Sequence, residues 1–382
     1  MVGQPPGLWA TAYGPQPVGA AGLVVFGCIR PEGAAVNQRP ALRTAVIGFG
    51  LSGRVFHTPL IAADPAYSLD AIVTGNPERA ARAAALHAGA AILPDADALF
   101  ARAGDFDVVV IGTPPATHAE LALAAIGHGL HVVVDKPFAL GSREGRELAD
   151  AARQAGVVLS VFQNRRWDAD FLTVARLVAD GALGQVHTFE SRFERWKPAG
   201  LRDWKDTAGL AGGGGILFDL GTHVIDQALA LFGPAASVYG ETRRLSGGTS
   251  DADEDAFVAI RHASGVDSHL SLGLHFAVPA PRFRVLGTKA GYEVFGTDGQ
   301  EAALDGGASP LDPGYGRVPE DQWGRLGVPG ALEPVLAATG DYPGFYRGFA
   351  AAVHGDGPVP VDPAEAIATL EVIEQIHRAN HS

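Results

Sequence analysis

From Leu42 onward, short apolar runs alternate with alanine-rich amphipathic stretches. The apolar runs are Leu42–Gly48, Leu69–Val73, Val108–Thr113, His131–Val134 and Val157–Phe162. The stretches between them, each ending near a glycine or another helix breaker, are Val55–Ala63, Pro77–Ala88, His118–Gly127 and Ser142–Ala155. Apolar strands separated by helices are typical of a parallel sheet with both faces covered. The pattern predicts an α/β fold with a doubly wound parallel sheet over residues 41–163.

The pattern changes after Asn164, where a helical stretch is followed by strands in which apolar and polar residues alternate. The helix is Phe171–Asp180, and the strands are Val186–Arg195, Ala256–His262, Ser268–Phe276 and Arg282–Leu286. Strands that alternate in this way favour a mostly antiparallel, open sheet. Residues 164–382 are therefore predicted to form an α+β domain. In a monomer such a sheet would leave one apolar face exposed, so this domain is expected to mediate oligomerisation.

Two further segments complete the C-terminal part of the chain. Gly296 to Thr339 is rich in turn residues, and a long loop inside a compact domain is often a functional rim. Pro363–Arg378 is predicted to be an amphipathic helix.

Composition and charge narrow the class of protein. A chain of 382 residues exceeds the size at which single cores stop growing, so two domains are expected. With 29 Lys and Arg against 42 Asp and Glu, the net charge of −13 disfavours nucleic acid and anionic membranes as partners. The single cysteine, Cys28, requires no oxidising compartment, so the cytoplasm is expected. The 13 histidines form no recognisable ligand motif, and no metal is expected.

Residues 1–40 are rich in Gly, Pro and Ala and are predicted to be a flexible N-terminal extension. Their apolar run, Val18–Ile29, is shorter than a membrane-spanning helix, and no Lys or Arg precedes it. A signal peptide is therefore disfavoured, although Val25 to Cys28 faintly resembles a lipoprotein cleavage site.

A glycine-rich turn follows the first apolar run and comes before a helix, as in dinucleotide-binding Rossmann domains. Its G-x-G-x-x-G residues are Gly48, Phe49, Gly50, Leu51, Ser52 and Gly53. The first glycine permits the tight turn, the second lets a pyrophosphate approach the backbone, and the third lets helix and strand pack closely. The sequence thus predicts a Rossmann dinucleotide site here.

The end of the second apolar run indicates the cofactor. NAD sites place an Asp or Glu there for the ribose 2′-hydroxyl, whereas NADP sites replace it with donors or cations. After Val73 the chain continues with Thr74, Gly75, Asn76 and Arg79, without an acid at the tip of the strand. NADP is therefore expected in preference to NAD, unless Arg79 and Arg82 only form a solvated helix face.

Candidate catalytic residues occur in two motifs. Lys136, in Asp-Lys-Pro, follows an apolar strand at the end of the sheet where doubly wound folds bind ligands. Asp219 and His223 follow four glycines with helical i, i+4 spacing, which places both on one helix face. The alternative, in which this pair only stabilises a helix surface, is disfavoured by the glycine run and the Lys-Pro motif together.

These motifs together resemble the Gfo/Idh/MocA oxidoreductase family over Leu42 to His377, with Asp135 where a glutamate is more usual. The Phe162–Asp168 and Pro319–Gly324 segments resemble its NADP-dependent scyllo-inositol dehydrogenase branch. The resemblance implies a homodimer or homotetramer joined through the open faces of the C-terminal sheets. It also implies a catalytic group of Lys136, Asp219 and His223, with Arg165 reaching the substrate.

Further contacts complete the predicted site. Thr113, Pro114 and His118 are expected beside the cofactor. The expected polyol-binding residues are Asn164, Arg165, Trp167, Glu194, Arg195, Asp219 and His223, with Trp196 and Trp323 at the rim. The predicted activity is hydride transfer between nicotinamide and a secondary hydroxyl of a cyclitol or sugar. A keto-sugar reductase and a non-catalytic sugar or dinucleotide sensor are the alternatives.

Overall fold

The computed structural model describes residues 39–198, 208–245 and 250–380. Nearly all of the predicted extension, residues 1–38, lies outside these described residues. Arg39, the first described residue, forms an ion pair with Asp356 at 2.7 Å.

The first sheet contains six parallel strands in the order β3-β2-β1-β4-β5-β6. They are β1 (Leu42–Ile47), β2 (Tyr67–Val73), β3 (Ala91–Leu93), β4 (Val108–Ile111), β5 (His131–Asp135) and β6 (Leu159–Phe162). The order reverses between β1 and β4, and ligands bind beyond the carboxyl ends of the strands at such a point. This confirms the doubly wound Rossmann sheet.

Five α-helices connect these strands: α1 (Thr58–Ala63), α2 (Pro77–Leu86), α3 (Ala96–Phe100), α4 (His118–Gly127) and α5 (Ser142–Ala155). A π-helical turn, Gly53–His57, leads directly into α1. Asn76 caps α2 by accepting a hydrogen bond from the Arg79 amide at 2.9 Å. Pro77, at the first position of this helix, has the backbone angle that the first turn requires.

The second sheet contains eight strands in the order β14-β13-β12-β11-β7-β10-β9-β8. They are β7 (Val186–Glu194), β8 (Ala235–Arg243), β9 (Asp255–His262), β10 (Asp267–Gly273), β11 (Phe283–Gly287), β12 (Gly291–Val294), β13 (Arg325–Val328) and β14 (Ala331–Pro334). Only the described β7 and β10 pair in parallel, and the other neighbours are antiparallel. The prediction of a mostly antiparallel sheet is confirmed.

Among the described residues of the second half there are five further α-helices: α6 (Ala169–Ala179), α7 (Thr222–Phe232), α8 (Gln300–Asp305), α9 (Pro343–Val353) and α10 (Pro363–Asn380). A π-helical turn, Leu217–Gly221, leads directly into α7. The segment expected to be loop-rich, Gly296 to Thr339, in fact contains α8, β13 and β14. These elements are four to six residues long, which is too short for a clear hydrophobic period.

The open face of the second sheet is polar. Along β7, Phe189, Ser191 and Phe193 are buried, whereas Glu190 and Arg192 alternate with them on the opposite face and pair at 2.6 Å. Arg284, on the neighbouring strand, also pairs with Glu190. Self-association was expected because this face would be apolar, but along β7 and β11 the face carries ion pairs instead.

The two halves of the molecule share one continuous hydrophobic core. The C-terminal helix α10 packs against α5 of the first half, where Glu374 accepts hydrogen bonds from Ser142. Within the described part of the chain, one helical stretch, Leu210–Phe232, is long and apolar enough to cross a membrane. Most of it is buried inside the structure, as in a core helix.

Candidate functional site

A cleft of about 790 Å³ lies at the carboxyl ends of the strands of the first sheet. The segments that follow β1, β2, β4 and β5 line one side of it, and residues of the second half line the other. The cleft therefore lies where a doubly wound sheet binds its ligand.

The glycine turn has the geometry that a dinucleotide site requires. A Cβ on Gly53 would lie 1.9 Å from the Gly48 carbonyl oxygen, so the helix can approach the strand only with glycine here. Gly48 has φ +99°, which favours glycine. Gly50 differs, because a Cβ there would meet only the Arg79 guanidinium, at 4.0 Å. Gly50 therefore leaves its side of the backbone open to a phosphate.

The cleft continues past the end of β2, where Thr74, Gly75, Asn76 and Arg79 all line it. Arg82, three residues after Arg79 on α2, is exposed and is not among the lining residues. One acid does reach this end of the cleft: Asp95, which sequence reasoning missed because it follows β3 rather than β2.

Of the three residues expected beside the cofactor after β4, Thr113 and Pro114 line the cleft, but His118 does not. Its imidazole is buried, with Nε2 2.8 Å from the Thr113 carbonyl oxygen and Nδ1 2.9 Å from that of Pro137. His118 therefore ties the turn after β4 to the segment that carries Lys136.

Lys136 and Asp219 both line the cleft and are in direct contact there. The Lys136 ammonium donates to the Asp219 carbonyl oxygen at 2.7 Å and to its carboxylate at 3.1 Å. Both side chains are about one-fifth exposed. Because an ammonium has three N–H donors, one remains for a ligand oxygen.

His223 also lines the cleft, and its Nδ1 is buried without a hydrogen-bond partner in the described structure. Burial lowers the pKa of His223 well below its usual range, and the nearby charges of Lys136 and Arg165 lower it further. The carboxylate of Asp219 opposes this shift but does not overcome it. The imidazole is therefore neutral at pH 7 and can accept a proton.

Asp219 contacts the candidate catalytic lysine. Its carbonyl oxygen and its carboxylate both accept hydrogen bonds from Lys136. Asp219 lies within the π-helical turn Leu217–Gly221, and His223 lies in the first turn of α7 that follows it. An ammonium attracts a carboxylate more strongly than a neutral imidazole does. Asp219 therefore positions the lysine.

Four consecutive glycines, Gly212 to Gly215, precede this turn. Of the four, only Gly213 lines the cleft. Gly215, with φ +94°, is required for packing instead, because a Cβ there would lie 2.4 Å from a carboxylate oxygen of Asp253. Asp253 in turn accepts a hydrogen bond from the Leu217 amide at 2.7 Å. The run mainly shapes the turn that presents Asp219.

Asp135, just before Lys136, is held as a carboxylate. Burial alone would raise its pKa, but His57 and Lys136 outweigh burial and lower the pKa of Asp135 to about 2. Its Oδ1 accepts the Lys136 amide at 2.8 Å. The His57 imidazole is hydrogen-bonded to the Tyr346 hydroxyl at 2.7 Å.

The expected substrate residues separate into two groups. Asn164, Arg165 and Arg195 line the cleft. Trp167 does not, because its indole is buried and packs edge-on against Phe345 in the core. Glu194 does not either.

Alternation along β7 explains why Glu194 and Arg195 point to opposite sides. Glu194 accepts a hydrogen bond from Ser271 at 2.8 Å on the open face, whereas Arg195 turns into the cleft. Of the two rim tryptophans, Trp196 is exposed, and Trp323 donates its indole N–H to the Val318 carbonyl oxygen.

Sequence reasoning missed three charged residues of the cleft: Asp95, Lys197 and Glu301. Glu301 lies on α8. Its hydrogen-bond partner, Arg165, is 136 positions earlier in the chain. No local motif marks it; the only signal was the length of the turn-rich segment around it.

The fold and this site define a dinucleotide-binding oxidoreductase with a Rossmann half and a second half built on a mostly antiparallel sheet. Residues 42–163 match the oxidoreductase family with an NAD-binding Rossmann fold, and residues 171–293 match the GFO/IDH/MocA C-terminal domain. The chain belongs to the Gfo/Idh/MocA family of oxidoreductases.

Individual proteins are similar over nearly their whole length. The uncharacterized oxidoreductase YdgJ of Escherichia coli is 36% identical over 89% of this chain and 97% of its own. The scyllo-inositol 2-dehydrogenase (NADP(+)) IolW of Bacillus subtilis is 32% identical over 87% of this chain and 92% of its own. The crystal structure of an oxidoreductase from Bacillus cereus superimposes with a TM-score of 0.78 at 28% identity, covering 88% of this chain and 95% of that one.

Proposed function

We propose that this oxidoreductase transfers hydride between NADP and a secondary hydroxyl of a cyclitol or sugar, as a scyllo-inositol-dehydrogenase-like enzyme. The observation that carries the proposal is that Lys136, Asp219 and His223 meet in the cleft that begins at the glycine turn. The similarity to IolW, whose name specifies both an inositol substrate and NADP, supports the same choice.

The residues of the cleft fit a nicotinamide dinucleotide, because Gly50 leaves its backbone open and the following helix begins at the turn. Gly48 to Ser52 would hold the pyrophosphate, and Thr74 to Arg79 the adenosine ribose. When bound, nicotinamide accepts or gives the hydride.

The chain's own residues handle the proton and the charge. In the oxidative direction His223 takes the proton of the reacting hydroxyl, because its lowered pKa keeps the imidazole unprotonated near neutral pH. The free N–H of Lys136 stabilises the charge that develops on the oxygen. Asp219 keeps the ammonium in place through its two hydrogen bonds, and the reverse direction uses His223 as the acid.

The preference for NADP rests on Arg79, and replacing it tests that preference. Arg79→Ala should raise the Kd for NADP about ten- to hundredfold, as loss of a charge-assisted phosphate contact does, and should change the Kd for NAD little. Arg82→Ala is the matched control, since Arg82 shares the helix but does not line the cleft. Titration of intrinsic fluorescence with each cofactor gives both constants. Equal losses for NADP and NAD would contradict the assignment.

The activity itself is tested with a panel of cyclitols and aldoses, including scyllo-inositol, myo-inositol and D-glucose. Each compound is incubated with the protein and NADP or NAD, and reduced nicotinamide is followed by its absorbance. Turnover of at least one polyol, faster with NADP, is expected. A protein that binds NADP but oxidises no polyol, and reduces no keto-sugar, would favour the sensor alternative.

We further propose a homodimer or homotetramer in the cytoplasm, with a small polyol as the other partner. The resemblance to the family supports self-association, whereas the polar open face of the second sheet means that ion pairs and hydrogen bonds would form the contact.

A further inference from the structure

Glu301 is a second carboxylate of the cleft, on the helix α8, outside the group formed by Lys136, Asp219 and His223. Its side chain is 39% exposed, and its Oε2 accepts a hydrogen bond from Arg165 Nη2 at 2.7 Å. No hydrogen bond of the described residues uses Oε1. Arg165 thus holds Oε2 of Glu301, and Oε1 remains available to accept a hydrogen bond from a ligand in the cleft.

Arg165 is itself fixed in place, so the carboxylate that it holds is fixed too. Its Nη1 donates to the fully buried Asp168 at 3.2 Å, and Asp168 also accepts the Tyr342 hydroxyl at 2.7 Å. The Arg165 guanidinium also lies over the Phe193 ring, 5.0 Å from its centre. An arginine with this many contacts is a rigid anchor.

The helix that carries Glu301 is anchored at both ends. The Gln300 side chain is buried and donates to the Trp167 carbonyl oxygen at 3.0 Å. At the other end Asp305 forms an ion pair with Arg54 at 2.7 Å, and Arg54 belongs to the turn that follows the glycine motif. Glu301 therefore occupies a defined position between the two halves of the molecule.

Glu301 lines the same cleft as His223 and Arg165. Its partner Arg165 is also one of the charged residues whose proximity lowers the pKa of the His223 imidazole. A substrate whose hydroxyl contacts His223 in this cleft would therefore have the Glu301 carboxylate among its available partners.

We infer that Glu301 is a specificity-determining residue whose Oε1 accepts a hydrogen bond from a second hydroxyl of the substrate. A carboxylate only accepts hydrogen bonds, so it selects a free hydroxyl at that position and rejects a carboxylate or phosphate there. The inference rests on the proposed function, and it specifies the substrate class as a polyol with two free hydroxyls in fixed relation.

The test compares Glu301→Gln with Asp305→Asn, which breaks the other ion pair of the same helix outside the cleft. The probes are D-glucose, its monodeoxy analogues and scyllo-inositol, each with NADP. Glu301→Gln should raise KM about ten- to hundredfold and change kcat by less than about threefold, because the lost hydrogen bond exists before and during the reaction. Asp305→Asn should leave KM unchanged.

The deoxy analogues identify the contact. The analogue that lacks the hydroxyl bound by Glu301 should have the same KM with wild type and with Glu301→Gln. The other analogues should still show the full rise in KM with Glu301→Gln. Calorimetric titration of the same polyols into protein saturated with NADPH, a complex that cannot react, should give the same pattern in Kd.

Two results would overturn the inference. One is an unchanged KM in Glu301→Gln for every polyol that wild type oxidises. The other is an equal rise in KM for Asp305→Asn, which would reduce Glu301 to a structural contact of α8. Failure of the proposed function gives a different result, because wild type would then oxidise no polyol of the series.

Discussion

His223→Ala is expected to lower kcat by about 10²–10⁴-fold, because the variant has no group in place to take the proton of the reacting hydroxyl. Cofactor affinity should change little, since the glycine turn lies on the other half of the cleft. Steady-state kinetics with the best polyol of the panel, and fluorescence titration with NADP, measure the two effects. His223→Gln, which keeps a polar side chain but accepts no proton, should be equally slow.

The pH dependence of activity distinguishes loss of the base in His223→Ala from disruption of the fold. The pKa of His223 is lowered by burial and by the neighbouring cations, so wild-type activity should hold through neutral pH and fall only well below the usual value of 6.5. That acid limb should be absent from the Ala variant. Near wild-type turnover with the acid limb intact would rule out His223 as the base.

The lowered pKa of His223 also makes the stability of the fold depend on pH. The unfolded chain takes up a proton on this histidine near its usual pKa, whereas the folded protein does so only at lower pH. The free energy of unfolding should therefore decrease as pH falls below about 6.5, and His223→Ala should remove part of that decrease.

Lys136→Ala is expected to lower kcat by about 10²–10³-fold through loss of the ammonium that stabilises charge on the substrate oxygen. Lys136→Arg should not recover the activity, because a planar guanidinium cannot make the same contacts with Asp219 and the substrate. Kinetics of both variants, with the NADP Kd as a control for folding, test this expectation.

Chemical rescue of a Lys136 variant provides a second test of the role of its ammonium. Cys28 is the only cysteine of the chain, so Lys136→Cys in a Cys28→Ser background carries one thiol for alkylation. Aminoethylation of that thiol rebuilds an ammonium at nearly the original length and should restore most of the turnover. Full activity in Lys136→Ala, or no recovery on aminoethylation of a folded variant, would contradict the role.

The Rossmann sheet could be predicted in detail because most of its strands are buried and three of its helices, α2, α4 and α5, span ten or more residues. The predicted helices His118–Gly127 and Ser142–Ala155 match α4 and α5 at both ends. The strand β3 was missed because Ala91–Leu93 is three residues long at the edge of the sheet. β8 was missed as well, because none of its residues is fully buried and its hydrophobic signal is weak.

The site was predictable only where its residues lie within one short motif. Lys136, Asp219 and His223 come after recognisable breaks in the chain, and the structure brings all three to one cleft. The direction of a side chain is a tertiary property, so the motif around Trp167 did not reveal that its indole faces the core. Glu301 has no local signal, because its position depends on a contact with Arg165 that only the fold creates.

Transfer of deuterium tests the central claim most directly. D-Glucose and scyllo-inositol deuterated at every carbon are incubated with wild-type protein and NADP, and the reduced cofactor is analysed by NMR. Hydride transfer from the polyol should place deuterium at the nicotinamide C4 position with at least one of the two compounds, rapidly with wild type and far more slowly with His223→Ala. Reduced cofactor without deuterium, or no reduced cofactor from any polyol under conditions where NADP binds, would contradict the claim.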